Sequence, residues 1–170
     1  RGYKSYNVFM SEEIKIATLI VSSNTYPAVR NSNSQKSFFF DEGFNKNLTF
    51  WYKAGKKKEL NGQDFKLIDN DLLINTSDSS LNMGLKTILA FEWLDKNCEY
   101  DFVVRPTPSS YINYKNLYNF INDNLSHEHF VYCGNIQSTK DIDGNKIEFV
   151  SGSTLILNRN TVKEIINNKS

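Results

Sequence analysis

The chain has 170 residues, which is close to the usual length of one domain and enough to bury a substantial core. Its 20 lysines and arginines are balanced by 19 aspartates and glutamates, so no strong overall field attracts nucleic acid or an anionic membrane. No apolar run approaches the roughly 18 residues that a membrane span requires. We therefore expect a small ligand or a neutral partner, with no nucleic acid and no membrane span.

The cysteines and the chain ends indicate the compartment. Cys98 and Cys133 are too few for a disulfide framework and too far apart in sequence for a zinc knuckle. We expect two free, buried thiols in a reducing compartment. Residues 1–11 contain no apolar signal-peptide core. Because the chain stops soon after an apparent helix begins, we expect one domain over residues 1–170, truncated at its C-terminus.

The first half of the chain alternates short β-branched or aromatic runs with segments of helical period, as in an α/β layered sheet. Residues 14–21 are almost all apolar, which is typical of a central strand buried on both faces. Further strands are predicted at residues 48–52, 65–68 and 72–74. The first predicted helix has Asp78 or Ser80 as N-cap, ends near Leu94 and shares one apolar face between Leu81, Leu85, Ile88 and Leu89.

The second half continues the alternation. Residues 102–104 predict a strand, and Asn113 caps a helix with an apolar stripe at Tyr114, Leu117, Tyr118, Ile121 and Leu125. A strand at 130–133 is predicted to end at Gly134. Residues 143–145 indicate a turn, and strands are predicted at 147–150 and 154–157. The last predicted helix is capped by Asn160 and carries Val162, Ile165 and Ile166.

The most informative segment runs from Tyr100 to Tyr111, where an apolar strand passes into a tight polar loop and then a helix. In α/β enzymes, ligands bind at this position, outside the carboxyl ends of the strands. Arg105 stands at the strand end, where a guanidinium can hold a phosphate with two hydrogen bonds. The alternative is a structural salt bridge from Arg105 to Asp101 or Asp78.

Four stretches together carry a resemblance to a known family. They are V-S-S-N-T-Y at 21–26 followed by Arg30, D-S-S-L-N-M-G-L-K-T at 78–87 leading to Trp93, R-P-T-P-S-S-Y at 105–111, and F-V-S-G-S-T-L-I-L-N-R at 149–159. The ordered set resembles the Fringe and β-1,3-galactosyltransferase type of GT-A glycosyltransferase, with its bacterial and viral relatives. There the stretches correspond to the nucleotide-binding strand end, a D-x-Y-x-N-L-T-x-K-T helix, the metal loop and an S-G-x-G-Y-x-L-S-R strand and turn.

The resemblance covers roughly residues 14–166 and implies a fold as well as an activity. The implied fold is GT-A-like, or Rossmann-like, with a mixed, mostly parallel sheet flanked by helices in a single domain. The implied activity is transfer of a hexose from a nucleotide sugar, first of all a UDP-sugar, to a glycan or glycoprotein acceptor. The implied location is the cytoplasm of a bacterium or of a virus-infected cell.

A nucleotide diphosphate gathers negative charge as it leaves, so the site must supply cations or hydrogen-bond donors. By the resemblance, the donor-binding residues are Ser22, Ser23, Thr25, Tyr26, Arg30, Asp78, Lys86, Arg105, Thr107, Ser109 and Ser110. The donor sugar or the acceptor is assigned to Ser151, Gly152 and Ser153. Purely structural roles are the alternative for these residues. They are a polar turn before Pro27, a strand bulge at 151–153, and solvated or structural side chains for Arg30 and Lys86.

The metal loop of the family lacks its carboxylates in this chain. Thr107, Pro108 and Ser109 stand where the family has an acidic triplet, and neutral hydroxyls are poor sole ligands for Mn²⁺ or Mg²⁺. The strings Asp69-Asn70-Asp71 and Asp141-Ile142-Asp143 are interpreted as turns, and His127 and His129 as surface residues. We assign no metal ligand and no certain cofactor.

Catalysis by inversion also needs a general base for the acceptor hydroxyl, which the family places downstream of the S-R turn. The chain ends before such a segment, so we assign no catalytic residue; Asp141, Asp143 and Glu148 are the acidic residues nearest in sequence. One alternative function is a non-catalytic GT-A-like module that binds sugar or protein. Another is an unrelated α/β nucleotide-binding domain, although the absence of G-x-G-x-x-G and G-x-x-x-x-G-K-[ST] argues against dinucleotide and P-loop chemistry.

Overall fold

The computed structural model describes residues 13–25, 28–79 and 82–169. Within these ranges the strands are β1 (Ile16–Val21), β2 (Thr49–Ala54), β3 (Phe65–Ile68), β4 (Asp71–Ile74), β5 (Phe102–Pro106), β6 (Tyr132–Lys140) and β7 (Lys146–Asn158). The helices are α1 (Ala28–Asp41), α2 (Lys57–Leu60), α3 (Met83–Asn97), α4 (Tyr114–Asn124) and α5 (Arg159–Asn167), with a 3-10 turn at Lys46–Leu48. None of the described helices combines the length and apolar character needed to cross a membrane.

The strands form one mixed sheet in the order β3-β4-β2-β1-β5-β7-β6. β4, β2, β1 and β5 run parallel to one another, whereas β3, β7 and β6 each pair antiparallel. Of the six described strand pairs, three are parallel and three are antiparallel, and the longest is the antiparallel pair of β6 and β7. The expectation of a mostly parallel sheet is therefore wrong. The reason is local: β6 and β7 are joined by a tight turn, and so short a connection can only pair strands antiparallel.

Two apolar clusters cover the two faces of the sheet. One includes Ala90 and Leu94 of α3 and Val162 of α5, and the other includes Phe39 of α1 and Ile121 of α4. All six residues of β1 are buried between these layers, which confirms the predicted central strand. The predicted α4 is also confirmed, including its cap, because the Asn113 side chain accepts a hydrogen bond from the Asn116 backbone N–H (2.9 Å).

Helix α1 was not predicted, and its composition explains the omission. Its buried residues are Ser32, Gln35 and Phe39, so two of the three positions on its inner face are polar. A periodic apolar pattern therefore does not form, although the spacing of the buried residues is helical. This matters for function because α1 directly follows the end of β1 and supplies buried polar groups to the same edge of the sheet.

The β6–β7 hairpin differs from the prediction in its strand lengths. β6 continues past Gly134 to Lys140, and β7 is one strand where two were expected. Gly134 lies at a register irregularity within β6 rather than at the end of the strand. A Cβ at this position would collide with the carbonyl oxygen of Thr154, which explains the glycine. The turn at 141–145 is confirmed, with Asp141 Oδ1 accepting from the N–H groups of Asp143 and Asn145.

Three smaller expectations are corrected. The helix N-caps are Asn82 for α3 and Asn158 for α5, rather than Asp78 or Asn160; Ser80 and Leu81 lie outside the described residues. Asn158 takes the cap because the chain is still extended there and its side chain reaches the Thr161 N–H (3.0 Å). Both cysteines are free, as predicted, but each is half-buried rather than buried.

A charged cluster fastens α1 to the sheet. The Asp71 carboxylate accepts hydrogen bonds from Lys36 Nζ (2.6 Å) of α1 and from Lys53 Nζ (3.0 Å) of β2. Burial by itself raises the pKa of Asp71, but the two ammonium groups outweigh that effect and hold the pKa below its usual value. The cluster therefore stabilises the fold only while Asp71 is ionised.

We expect Asp71→Asn to lower the free energy of unfolding by about 1 to 3 kcal/mol at neutral pH. Because the folded-state pKa lies below the unfolded value, of about 3.9, this stabilisation is complete above the unfolded value and is lost as pH falls through the folded value. Urea denaturation of both proteins between about pH 7 and about pH 2 measures the effect. Asp123→Asn, a substitution at an exposed position of α4, is the control. A difference in unfolding free energy between wild type and Asp71→Asn that does not change with pH would contradict the prediction.

Candidate functional site

A cavity of about 330 Å³ lies at the carboxyl ends of β1 and β5. Along the chain β1 leads through α1 to β2 on one side, whereas β5, reached through α3, lies on the other side of β1. Ligands of open α/β sheets bind at such a reversal of strand order. Six of the predicted donor-binding residues line the cavity: Ser22, Ser23, Asp78, Lys86, Arg105 and Thr107.

A larger cavity, of about 740 Å³, lies at the opposite edge of the sheet, beside Ile16 and Tyr114. Its volume does not make it the better candidate, because its described lining contains a single basic side chain, the exposed Lys15. The smaller cavity contains two basic side chains, Lys86 and Arg105, one of them fully buried. Since an anionic ligand requires positive charge in a water-poor setting, we place the candidate site in the smaller cavity.

Lys86 of α3 is fully buried, which excludes the solvated lysine that the sequence left open. Its Nζ donates to Asp78 Oδ1 (2.8 Å) and lies 3.4 Å from the carbonyl oxygen of Ser22. The second oxygen of Asp78 accepts from the backbone N–H of Asn24 (3.2 Å). A buried ammonium group needs such a counter-ion, and this one joins α3 to the loop after β1.

Arg105 belongs to β5, and its side chain lies on the α3 face of the sheet. Its Nε donates to the hydroxyl of Tyr52 (2.9 Å), a residue that the sequence did not single out. The two carboxylates considered as structural partners have other contacts, since Asp101 accepts from the Lys15 backbone N–H (2.7 Å) and Asp78 pairs with Lys86. The guanidinium lines the cavity, and its Nε is anchored to a buried phenol.

The loop after β5 is tied to β7 by its own hydroxyl groups. Thr107 N–H and Ser110 Oγ both donate to the carbonyl oxygen of Ser153, at 3.2 and 2.9 Å. The hydroxyls of Thr107 and Ser110 lie 2.8 Å apart, and Ser109 Oγ is 3.3 Å from Thr107 Oγ1. Thr107, Ser109, Ser110 and Ser153 thus form one cluster, although only Thr107 of these lines the cavity.

Two residues of α1 complete the edge, and sequence reasoning missed both. Gln35 is fully buried, and its Nε2 donates to the carbonyl oxygens of Thr107 (3.1 Å) and Ser110 (2.8 Å). Ser32 Oγ lies 2.8 Å from Ser22 Oγ. The signal that identifies them is helical spacing of polar residues, which an apolar-periodicity search passes over.

The remaining predicted residues lie at or beyond the rim. Thr25 is exposed and hydrogen-bonds through its hydroxyl to Ser23 Oγ (2.7 Å), whereas Tyr26 lies outside the described residues. Arg30 lies on the exposed side of α1 and does not line the cavity. Ser151 and Gly152 belong to β7, and Ser151 does not line the cavity. The alternative general bases Asp141, Asp143 and Glu148 are exposed in the hairpin and do not line the cavity either.

The residues at the cavity do not fit a divalent metal. The carboxylate among the lining residues is that of Asp78, and it is already paired with Lys86. The described ranges contain no group of three histidine, cysteine or acidic residues arranged to hold a metal ion. Asp69 and Asn70 form the turn between β3 and β4, with Asp71 as the first residue of β4, and residues 141–143 lie in the turn of the β6–β7 hairpin, as the sequence predicts. Because Mn²⁺ and Mg²⁺ prefer several carboxylate oxygens, we assign no metal ligand at this cavity.

No protein-family model matches this chain, and comparison with curated proteins finds no match either.

Proposed function

We propose that this chain is the donor-binding core of a nucleotide-sugar-dependent glycosyltransferase with a GT-A-like fold. In this proposal it transfers a hexose from a UDP-sugar to a glycan or glycoprotein acceptor. One observation carries the proposal: Lys86 and Arg105 both line a cavity at the point where the strand order reverses. A diphosphate leaving group becomes more negative as its bond to the sugar breaks, and cations already in place stabilise that change.

The other lining groups fit the parts of such a donor. The hydroxyls of Ser22 and Ser23 at the end of β1 are suited to the nucleoside, and Thr107 at the end of β5 is suited to a phosphate oxygen. The volume, about 330 Å³, is at the small end of ligand sites, so we expect the donor to extend from the cavity toward solvent. The Ser151–Ser153 segment, beside the Thr107 loop, is our candidate for the sugar or the acceptor.

Calorimetric titration tests the proposal with UDP, GDP and dTDP sugars, each in EDTA and again with Mn²⁺. We expect binding in EDTA, with Arg105→Ala weakening it by about 10- to 100-fold because a charged hydrogen bond is lost. Lys163→Ala is the control, since it removes an exposed basic side chain from α5 that does not line the cavity. If the wild type binds none of these nucleotides, the proposed function is wrong. If the two substitutions weaken binding equally, Arg105 has no specific role in binding the donor.

A second candidate is a GT-A-like module that binds a sugar or a protein without catalysis. It is favoured by the pairing of Asp78, because this leaves no carboxylate in the described lining of the cavity that is ready to accept a proton from an acceptor hydroxyl. Release of UDP from a bound UDP-sugar, followed in the presence of a set of glycan acceptors, separates the two. Binding without release favours the module, and acceptor-dependent release favours the transferase.

A further inference from the structure

Tyr52 connects the candidate site to the interior of the domain. It lies in β2 and is completely buried, yet its hydroxyl is 2.9 Å from Arg105 Nε and 2.9 Å from Thr87 Oγ1. β1 separates β2 from β5 in the sheet, so the phenol reaches across one strand to meet the guanidinium. Three elements, namely β2, β5 and α3, therefore meet at this one hydroxyl group.

The hydrogen bonds that link Arg105, Tyr52, Thr87 and Met83 have determined directions. Thr87 Oγ1 donates its single proton to the carbonyl oxygen of Met83 (2.9 Å), one turn earlier in α3. Tyr52 must then donate to Thr87, which leaves the lone pairs of the phenol to accept the Nε–H of Arg105. The order runs from Arg105 through Tyr52 and Thr87 to Met83, and every donor in it has an acceptor.

This arrangement suits a cation that must meet an anion. The bond to Nε fixes the direction of that N–H, and, because guanidinium is planar, it also fixes the plane of the two terminal nitrogens. A carboxylate in the place of Tyr52 would cancel the charge, whereas a neutral phenol orients it without cancelling it. Burial raises the pKa of Tyr52, an effect that Arg105 opposes, and the net shift keeps the phenol protonated at neutral pH.

We propose that Tyr52 is a positioning residue that orients Arg105 for a phosphate-bearing ligand in the cavity. The inference rests on the proposed function for the identity of the ligand, but the orienting contact itself does not depend on it. Tyr52 touches no ligand in this scheme, and its effect on binding passes entirely through Arg105.

Tyr52→Phe is the test, because it keeps the packed ring and removes only the hydroxyl. Tyr100→Phe is the matched control: Tyr100 is 3% exposed, and its hydroxyl contacts Asp95 (3.4 Å), away from the cavity. With inorganic pyrophosphate and UDP as probes, we expect about tenfold weaker binding for Tyr52→Phe and unchanged binding for Tyr100→Phe. Thr87→Val, which removes the acceptor of the phenol proton, is a second variant with a smaller loss in the same direction.

A merely structural role and a positioning role differ in a double-mutant cycle with Arg105→Ala. If Tyr52 acts through Arg105, adding Tyr52→Phe to Arg105→Ala weakens binding no further; equal weakening in both backgrounds would overturn the inference. The Arg105 Nε–H resonance gives a ligand-free readout, which should be protected from exchange in wild type and Tyr100→Phe and lose protection in Tyr52→Phe. Unchanged protection in Tyr52→Phe would also overturn the inference. If protection is lost in Tyr52→Phe but the wild type binds neither probe, the inference stands and only the proposed function is overturned.

Discussion

Replacing Asp78 with alanine is expected to cost about 3 kcal/mol in the free energy of unfolding. The substitution leaves the ammonium group of Lys86, whose side chain is 1% exposed, without the carboxylate that lies 2.8 Å away. A quarter of the Asp78 side chain is exposed, so the estimate is taken from the lower end of the range for buried pairs. Urea denaturation at neutral pH measures the change.

The partner substitution separates the buried charge from other effects of the change. Lys86→Met should cost less than Asp78→Ala, because Asp78 keeps its hydrogen bond from Asn24 and its access to water. The double variant should be more stable than Asp78→Ala alone, since it contains no unpaired buried ammonium group. Lys96→Met breaks an exposed i,i+4 pair with Glu92 and is the control, with an expected cost below about 0.5 kcal/mol. Equal losses for Asp78→Ala and the control would contradict the prediction.

Asn158→Ala is expected to cost about 3 kcal/mol, through a different mechanism. Asn158 is 1% exposed and caps α5, and its Oδ1 accepts from the N–H groups of Thr161 (3.0 Å) and Val131 (3.3 Å). Its Nδ2 donates to backbone carbonyls of the loop before β6, including that of Ser126 (3.2 Å). One side chain thus satisfies both a helix end and a buried loop, and alanine leaves these groups without a partner.

Asn158→Asp and Asn160→Ala complete that experiment. The aspartate keeps the cap acceptor, but its second oxygen replaces Nδ2 against backbone carbonyl oxygens and buries a charge there, so its cost should be at least that of Asn158→Ala. Asn160 was the N-cap predicted from the sequence. It is exposed and donates to the carbonyl oxygen of His127 (3.1 Å), so Asn160→Ala should change stability by less than about 0.5 kcal/mol. Thermal and urea denaturation measure all three, and similar losses at positions 158 and 160 would count against the structural assignment of the cap.

The candidate site holds its two cations in different ways, and this difference bears on the proposed function. Lys86 is balanced by a carboxylate, so an incoming phosphate must compete with Asp78 for the ammonium group. Arg105 is anchored by the neutral Tyr52. We therefore expect competition with Asp78 to reduce the contribution of Lys86 to the affinity for a diphosphate.

Local patterns were enough to predict the elements whose signals lie within a few residues of one another. The nearly continuous apolar run of β1 predicted a strand covered on both faces, and the spacing of Leu117 and Ile121 with the Asn113 cap predicted α4. The turn at 141–145 followed from Asp-Gly-Asn for the same reason. Each depends on side-chain periodicity or on turn chemistry, both of which act over short distances in the chain.

The sequence by itself determined an α/β layered chain with a polar, basic strand end after β5, and it named six residues that line one cavity there. Only the tertiary structure decided how that edge is supported. α1 escaped prediction because its inner face is polar, and its Gln35 holds the Thr107 loop. Tyr52 meets Arg105 across a strand and 53 positions along the chain. Contacts between residues so far apart depend on strand order, which periodicity along one chain does not encode.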